Sequence, residues 1–311
     1  MGNGKGVTRR DFLRGAGPAA MAAALGLSGS SCRSADQGAA TAQATAAKRP
    51  VEASRTAKAV LVRDARAVAE DGSLNFRVIG SMLDQAVTAL VGAEDATGAW
   101  RELVKPGELV GIKSNVWQRL RTPPEAEQLL ARSVASAGVS PDRIRITDRQ
   151  ARQMLVDCTA LINVRPARSH HWSGMGGCIK NYIMFSDSPP SHHPRACESL
   201  ASIWDLPSVK GKTRLNILLA LTPQFYGRGP HGYDPRCVWP YKGIFVSFDP
   251  VAVDALGAKL LRTKRVAFFG EDRPITPTTH ISAAERKYAL GVADLNRIEL
   301  VRLGWDEDML I

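Results

Sequence analysis

The stretch Arg168-Ser169-His170-His171-Trp172-Ser173-Gly174-Met175-Gly176-Gly177-Cys178-Ile179-Lys180-Asn181 sets two imidazoles ahead of a glycine-rich turn and a Lys-Asn pair behind it. Glycines let backbone N–H groups approach a ligand closely, and the start of a helix adds a positive field suited to an anion. Here Gly176 and Gly177 would bring the backbone to the ligand, Asn181 would hydrogen-bond it, and Lys180 would hold a negative group. His170 would serve as a base. Adjacent histidines commonly point in different directions, so one of the His170-His171 pair is expected at the site, with His171 the alternative as a metal ligand. A second group, Lys113-Ser114-Asn115, follows an apolar run, and Asp148 follows another. His231 lies on a rigid Gly-Pro-His-Gly loop and is a further candidate metal ligand, whereas His192 and His193, before Pro194, read as surface residues.

Asp254 sits inside Val251-Ala252-Val253-Asp254-Ala255-Leu256. A carboxylate buried there without a partner would cost several kcal/mol, so it needs a cation such as Lys113 or Lys180, a donor cluster or an open pocket. Asp249, before Pro250, has the pattern of an ordinary helix N-cap. The expected pocket therefore has His170, Lys180, Lys113 and Asp254 as reactive groups and Asn115, Gly176, Gly177 and Asn181 as binding groups, with His171 and His231 as candidate metal ligands. Its ligand would be an anionic small molecule or a metal ion; the residues do not identify a cofactor.

These groups require a frame. Strand-like runs are expected at 60–62, 109–112, 143–147, 160–164, 215–221, 243–248 and 298–303. Between them, helical spacing covers 76–91, a helix from Thr122 as N-cap to about Ala137 ended by Gly138, and further helices over 250–261 and 282–290. Alternation of this kind predicts an α/β fold, a layered parallel or mixed sheet with helices on both faces. Ligands of open α/β sheets bind beyond the carboxyl ends of the strands, which is where Lys113, Asp148 and the segment 163–171 would lie.

The same residues resemble the DUF362 family, a domain whose function is unknown. The resemblance runs from about Phe76 to Leu261 and rests on Val104-Lys105-Pro106-Gly107 leading to Gly111-Ile112-Lys113-Ser114-Asn115, on Leu161-Ile162-Asn163-Val164 with His170 and Lys180-Asn181, and on Ser247 to Ala255. The chain departs from the family pattern at Arg165-Pro166-Ala167-Arg168, where a lysine is usual, and it lacks the cysteine pattern of the ferredoxin-type modules linked to some members. A shorter likeness, resting on one spacing, is to the nickel-pincer lactate racemases. In those a histidine, a glycine-rich turn and a cofactor-bearing lysine follow in the order of His170 and Lys180 here.

The N-terminus points to export. Thr8-Arg9-Arg10-Asp11-Phe12-Leu13-Arg14 is similar to the twin-arginine consensus, and the apolar stretch from Gly15 to Leu27 is shorter than a membrane span needs. Ala42-Gln43-Ala44 fits a signal peptidase site, and Cys32 offers lipid attachment as an alternative. Residues 1–50 thus read as signal and spacer, with 51–311 as one α/β domain that the twin-arginine export machinery would carry, folded, to the periplasm or cell envelope. The mature part would not span the membrane. The first 50 residues account for +5 of the formal net charge of +11. The remaining excess is spread out and not interleaved with aromatics, which argues against nucleic-acid binding. In an oxidising compartment at least one pair among Cys158, Cys178, Cys197 and Cys237 is expected to be oxidised. The resulting expectation is an exported cofactor- or metal-dependent enzyme or redox protein; the alternative is a non-catalytic envelope protein that binds an anionic small ligand.

Overall fold

The computed structural model describes residues 55–311, so the twin-arginine motif, Cys32 and Ala42-Gln43-Ala44 lie outside the described residues. The expected α/β architecture is present. The strands are β1 (Ala57–Arg63), β2 (Val110–Lys113), β3 (Ile144–Thr147), β4 (Ala160–His170), β5 (Gly174–Gly176), β6 (Thr213–Gln224), β7 (Gly243–Ser247) and β8 (Ile298–Gly304). They form one sheet in the order β3-β2-β4-β6-β7-β1-β8, with β5 attached to β4. Neighbours are parallel except at β7, which runs antiparallel to β6 and β1, and at β5, antiparallel to β4.

Helices α1 (Phe76–Val91), α2 (Ala96–Leu103) and α3 (Pro124–Ser136) cover one face. The other carries α4 (Ala151–Asp157), α5 (Cys178–Asn181), α7 (Pro250–Phe269) and α8 (Thr279–Tyr288). Between α5 and α7 lies α6 (Pro194–Cys197), a single turn. Helix α1 forms over the range its periodicity predicts, because Ile79, Met82, Leu83, Ala86, Val87 and Leu90 make one buried stripe. Asn75 caps its first turn, and Gly92, at φ 80°, ends it in the left-handed conformation. Asp249 caps α7 as expected, its carboxylate accepting from the Val251 and Ala252 N–H groups.

Several boundaries differ from the sequence reading, among them the start of α3 and the end of β4. Thr122 does not cap α3: its backbone N–H is tied back to the Asn115 carbonyl at 2.8 Å, and the helix starts at Pro124 with Pro123 in the cap position. Strand β4 runs six residues beyond Val164, to His170, because β6 and β5 continue to pair with it past a register shift between Pro166 and Arg168. Residues expected in a loop after the strand are therefore strand residues, with alternating faces.

This topology creates a switch point between β2 and β4, at which the side chains are closely packed. From β2 the chain crosses through α3 to β3, on one side; from β4 it proceeds to β6, on the other. The carboxyl ends of β2 and β4 are adjacent and their connections diverge, which is the switch point where open α/β sheets bind ligands.

Candidate active site: a buried cationic cluster at the strand switch point

On the face beneath α5 and α7, one row of residues crosses the sheet. Lys113 of β2 pairs in register with Asn163 of β4, Asn163 with Asn216 of β6, and Asn216 with Ser247 of β7. The amides link directly. Asn163 donates to Asn216 Oδ1 at 2.9 Å and to the Cys178 carbonyl at 3.0 Å, and Asn216 donates to the Phe248 carbonyl at 3.1 Å. Asn181, arriving on α5, donates to Asn163 Oδ1 at 2.8 Å and to the carbonyls of Lys113 and Val164. Asn181 thus clamps α5 across the β2–β4 crevice, a positioning role rather than open ligand binding.

Lys113 is fully buried. Its ammonium donates to Asp148 Oδ1 at 2.5 Å and to the Ser114 carbonyl at 2.7 Å. Burial lowers the Lys113 pKa to about 8 against the attraction of Asp148. Burial would raise the Asp148 carboxyl, but Lys113 and the Val116 N–H, 3.0 Å from Oδ2, hold it below its usual range. The pair is ionised at neutral pH.

Asp254 is also fully buried, but its partners are neither lysine. Its two oxygens accept the N–H groups of Cys178 and Ile179, at 2.6 and 2.9 Å, the donor cluster at the start of α5. A Cβ on Gly177 would stand 2.2 Å from Asp254 Oδ1, so only glycine fits there. Burial raises the Asp254 carboxyl to about 7, opposed by the two N–H bonds and by Arg165.

Three further cations converge on this crevice. Arg165, on β4, is buried beside Gly176, and its Nε has no hydrogen-bond partner. Arg168 donates from Nη2 to Asn115 Oδ1 at 2.7 Å and from Nη1 to the Leu120 carbonyl, while its Nε is also unpartnered. Asn115 therefore orients an arginine. Lys180 is buried, and burial lowers its ammonium to about 8. Its polar neighbour is the Cys197 thiol, 3.5 Å from Nζ. Arg195, Ala196 and Cys197 bring that thiol in through three successive positive φ angles of 51°, 55° and 62°, each costing roughly 1–2 kcal/mol in a non-glycine residue. Among the described residues no ion pair reaches Arg165, Arg168 or Lys180.

Two imidazoles sit in the same field. His170 is buried, with Nδ1 accepting the Trp172 N–H at 3.2 Å, and burial together with Lys180, Arg165 and Arg168 pushes its pKa far down. It is neutral, with its proton on Nε2. His280, on α8, is fully buried with both ring nitrogens unpartnered, and burial, Lys180 and Arg165 lower it to about 3.

The structure thus brings together Lys113, Asn115, His170, Gly176, Gly177, Lys180, Asn181 and Asp254 around one crevice. It leaves the expected metal ligands outside. His171 and His231 meet edge to face, ring centroids 5.8 Å apart, and His171 Nδ1 is committed to the Arg228 carbonyl at 2.9 Å. Among the described residues no group of three or more His, Cys, Asp or Glu is placed to hold a metal ion. Cys158, Cys178, Cys197 and Cys237 are each free and buried, where the sequence reading expects at least one oxidised pair. Arg165 and His280 were missed as site residues. A lone arginine between Val164 and Ala167 in an apolar run was the available signal for the first; starting the last helix at Ser282 instead of Thr279 hid the second.

Residues 110–259 match the family described as a domain of unknown function, DUF362. The match supports DUF362. No curated protein and no solved structure matches the chain. The DUF362 segment begins at β2 and ends within α7, so it contains Lys113, Asp148, Arg165, Arg168, His170, Lys180 and Asp254. His280 lies beyond it. Among the described residues no helix is long and apolar enough to cross a membrane.

Proposed function

We propose that this is an exported protein whose DUF362 crevice binds a small anion of at least two negative charges, such as a phosphate ester or a dicarboxylate. The observation that carries the reading is the charge balance. Lys113, Arg165, Arg168 and Lys180 are all buried, against Asp148, already paired, and Asp254, which burial holds near neutrality. Unpaired buried charge costs several kcal/mol per ion, and a bound anion removes that cost. Arginine suits the role because its planar fork matches carboxylate and phosphate oxygens.

Calorimetric titration at low salt with inorganic phosphate, sulfate and oxalate, combined with native mass spectrometry of the exported protein, tests this. At least one anion should bind or be carried through purification, and Arg165→Met should weaken it at least tenfold. Wild-type protein that binds none of the three and carries no anion would end the proposal. The export half rests on the motif at Thr8 to Arg14. Replacing Arg9 and Arg10 with lysine should retain the chain in the cytoplasm, and a normal periplasmic level of the double variant would refute it.

A second reading, an enzyme acting on that anion, is favoured by one feature. The Lys180 ammonium, lowered to about 8 within the field of the cluster, can move a proton near neutral pH.

A further inference from the structure

Above the buried cations lies a continuous arc of rings supplied by four separate segments. Trp117, after β2, meets His231 at 5.5 Å between centroids; His231 meets His171 at 5.8 Å; His171 meets Trp172 at 4.3 Å; and Trp172 stacks on His193 at 3.7 Å and 25°. No helical or strand period links these residues. They meet because the loops after β2, β4 and β6 and the segment before α6 all reach the same edge of the sheet.

The arc joins the cationic floor directly. His170 stacks under His171 at 4.9 Å with an interplanar angle of 10°, and Lys180 Nζ is 5.9 Å from the Trp172 ring centre. Trp172 is 43% exposed although it borders a cluster this deeply buried. His171 and His193 act as neutral rings rather than as added cations: burial lowers His171, and burial and Lys180 bring His193 down to about 4. Floor and rim therefore offer different chemistry. The floor takes negative charge, whereas the rim offers π faces and edges, which attract a planar aromatic group largely without regard to its identity.

Resting on the anion reading above, we infer that the ligand is an aromatic anion: a planar ring set against Trp172 and its neighbours in the arc, with a phosphate or a pair of carboxylates on that ring drawn toward Lys180 and the cationic floor.

The test compares methyl phosphate, which has the charge alone, with 1-naphthyl phosphate, which has charge and ring, by calorimetry on the exported chain. 1-Naphthyl phosphate should bind at least tenfold more tightly. Trp172→Ala should reduce that advantage to about twofold or less, with methyl phosphate measured on the same variant so that any general change in anion affinity is divided out. Because Trp172 is 43% exposed and outside both apolar clusters, its truncation spares the core; Trp117→Ala provides a second variant, expected to reduce the advantage less. Equal affinity of the two phosphates in wild-type protein overturns the inference and leaves the anion reading standing. An advantage that survives both tryptophan variants also overturns it. If neither phosphate binds but oxalate does, the same comparison is made with maleate and phthalate, which differ by the aromatic ring, and read the same way. Failure of every anion removes both readings.

Discussion

Residues that alternate along the same strands meet opposite environments on the two faces of this sheet. Toward α1–α3 point Val60, Val62, Val110, Ile112, Ile162, Val164, Ile217 and Val246, all buried and apolar. Toward α5 and α7 the intervening positions include Lys113, Asn163, Arg165, Asn216 and Ser247, equally buried but polar, set among the apolar Leu61, Leu161, Leu218 and Phe245. Two-residue alternation alone separates them. Apolar burial contributes roughly 25 cal/mol per Å² with no geometric demand. The polar row contributes little net stability, because each amide or charge must first recover what it loses in leaving water. Apolar packing on both faces therefore holds the sheet together, and the polar row uses that rigidity to keep uncompensated charge in place.

The sharpest way to break this contrast is to unbalance the polar face where it is balanced. Lys113→Met leaves Asp148 buried with only the Val116 N–H, and should cost about 3–5 kcal/mol in urea denaturation at pH 7. Adding Asp148→Asn should recover a good part of that loss. A single variant as stable as wild type would mean that the pair is not ionised. On the opposite face, Ile162→Ala should cost about 2–5 kcal/mol by loss of packing, with no change in anion affinity. A matching loss of affinity would show that the two faces are not independent.

A smaller effect is expected in the pH dependence. With Asp254 at about 7 in the folded chain and an ordinary value of 3.8, the native state holds the extra proton between those limits. Its contribution to stability is complete below about pH 4 and is lost as the pH rises through 7. His193, lowered to about 4, and His280, lowered to about 3, act in the opposite sense, because the unfolded chain takes up their protons first as the pH falls. The difference between wild type and Asp254→Asn isolates the carboxyl. Wild type should lose stability relative to the variant between pH 5 and 8, and parallel curves would show that Asp254 is already ionised at pH 5.

Much of the apolar face was legible in the sequence, because a stripe such as that of α1 is set by short-range period and ended by a glycine. The glycine-rich turn and Lys113, Lys180 and Asn181 were also legible, as polar residues directly after apolar runs. What each would touch was not. Asp254 needed a partner on any reading of its neighbours, but whether that was a lysine or two backbone N–H groups is decided by the placement of α5, 76 residues away in sequence. The extension of β4 was hidden because Arg165, Pro166 and Arg168 break strand alternation, and only the pairing with β5 and β6 shows that they continue it. The aromatic arc left no periodic trace at all, since it exists only once four distant segments share one edge.

The smallest expected effect bears most directly on the comparison, because its sign differs from that of an ordinary core mutation. Arg165 is as buried as Ile162 and lies three positions away on the same strand, so a purely structural reading assigns both the same kind of loss on truncation. Methionine follows the arginine stem in length and keeps most of its apolar contact, while it removes a guanidinium that has no acceptor at Nε and, among the described residues, makes no ion pair, Asp148 and Asp254 acting on it only from a distance. Relief of that unpaired charge should stabilise the anion-free protein by on the order of 1 kcal/mol, seen as a higher urea midpoint with an unchanged slope. The gain should shrink or reverse in saturating phosphate, because the anion stabilises only the form that binds it. Wild type that is more stable than Arg165→Met at every anion concentration would mean that Arg165 is satisfied within the fold. The polar face would then be a second core with polar side chains, not a site held open by the first.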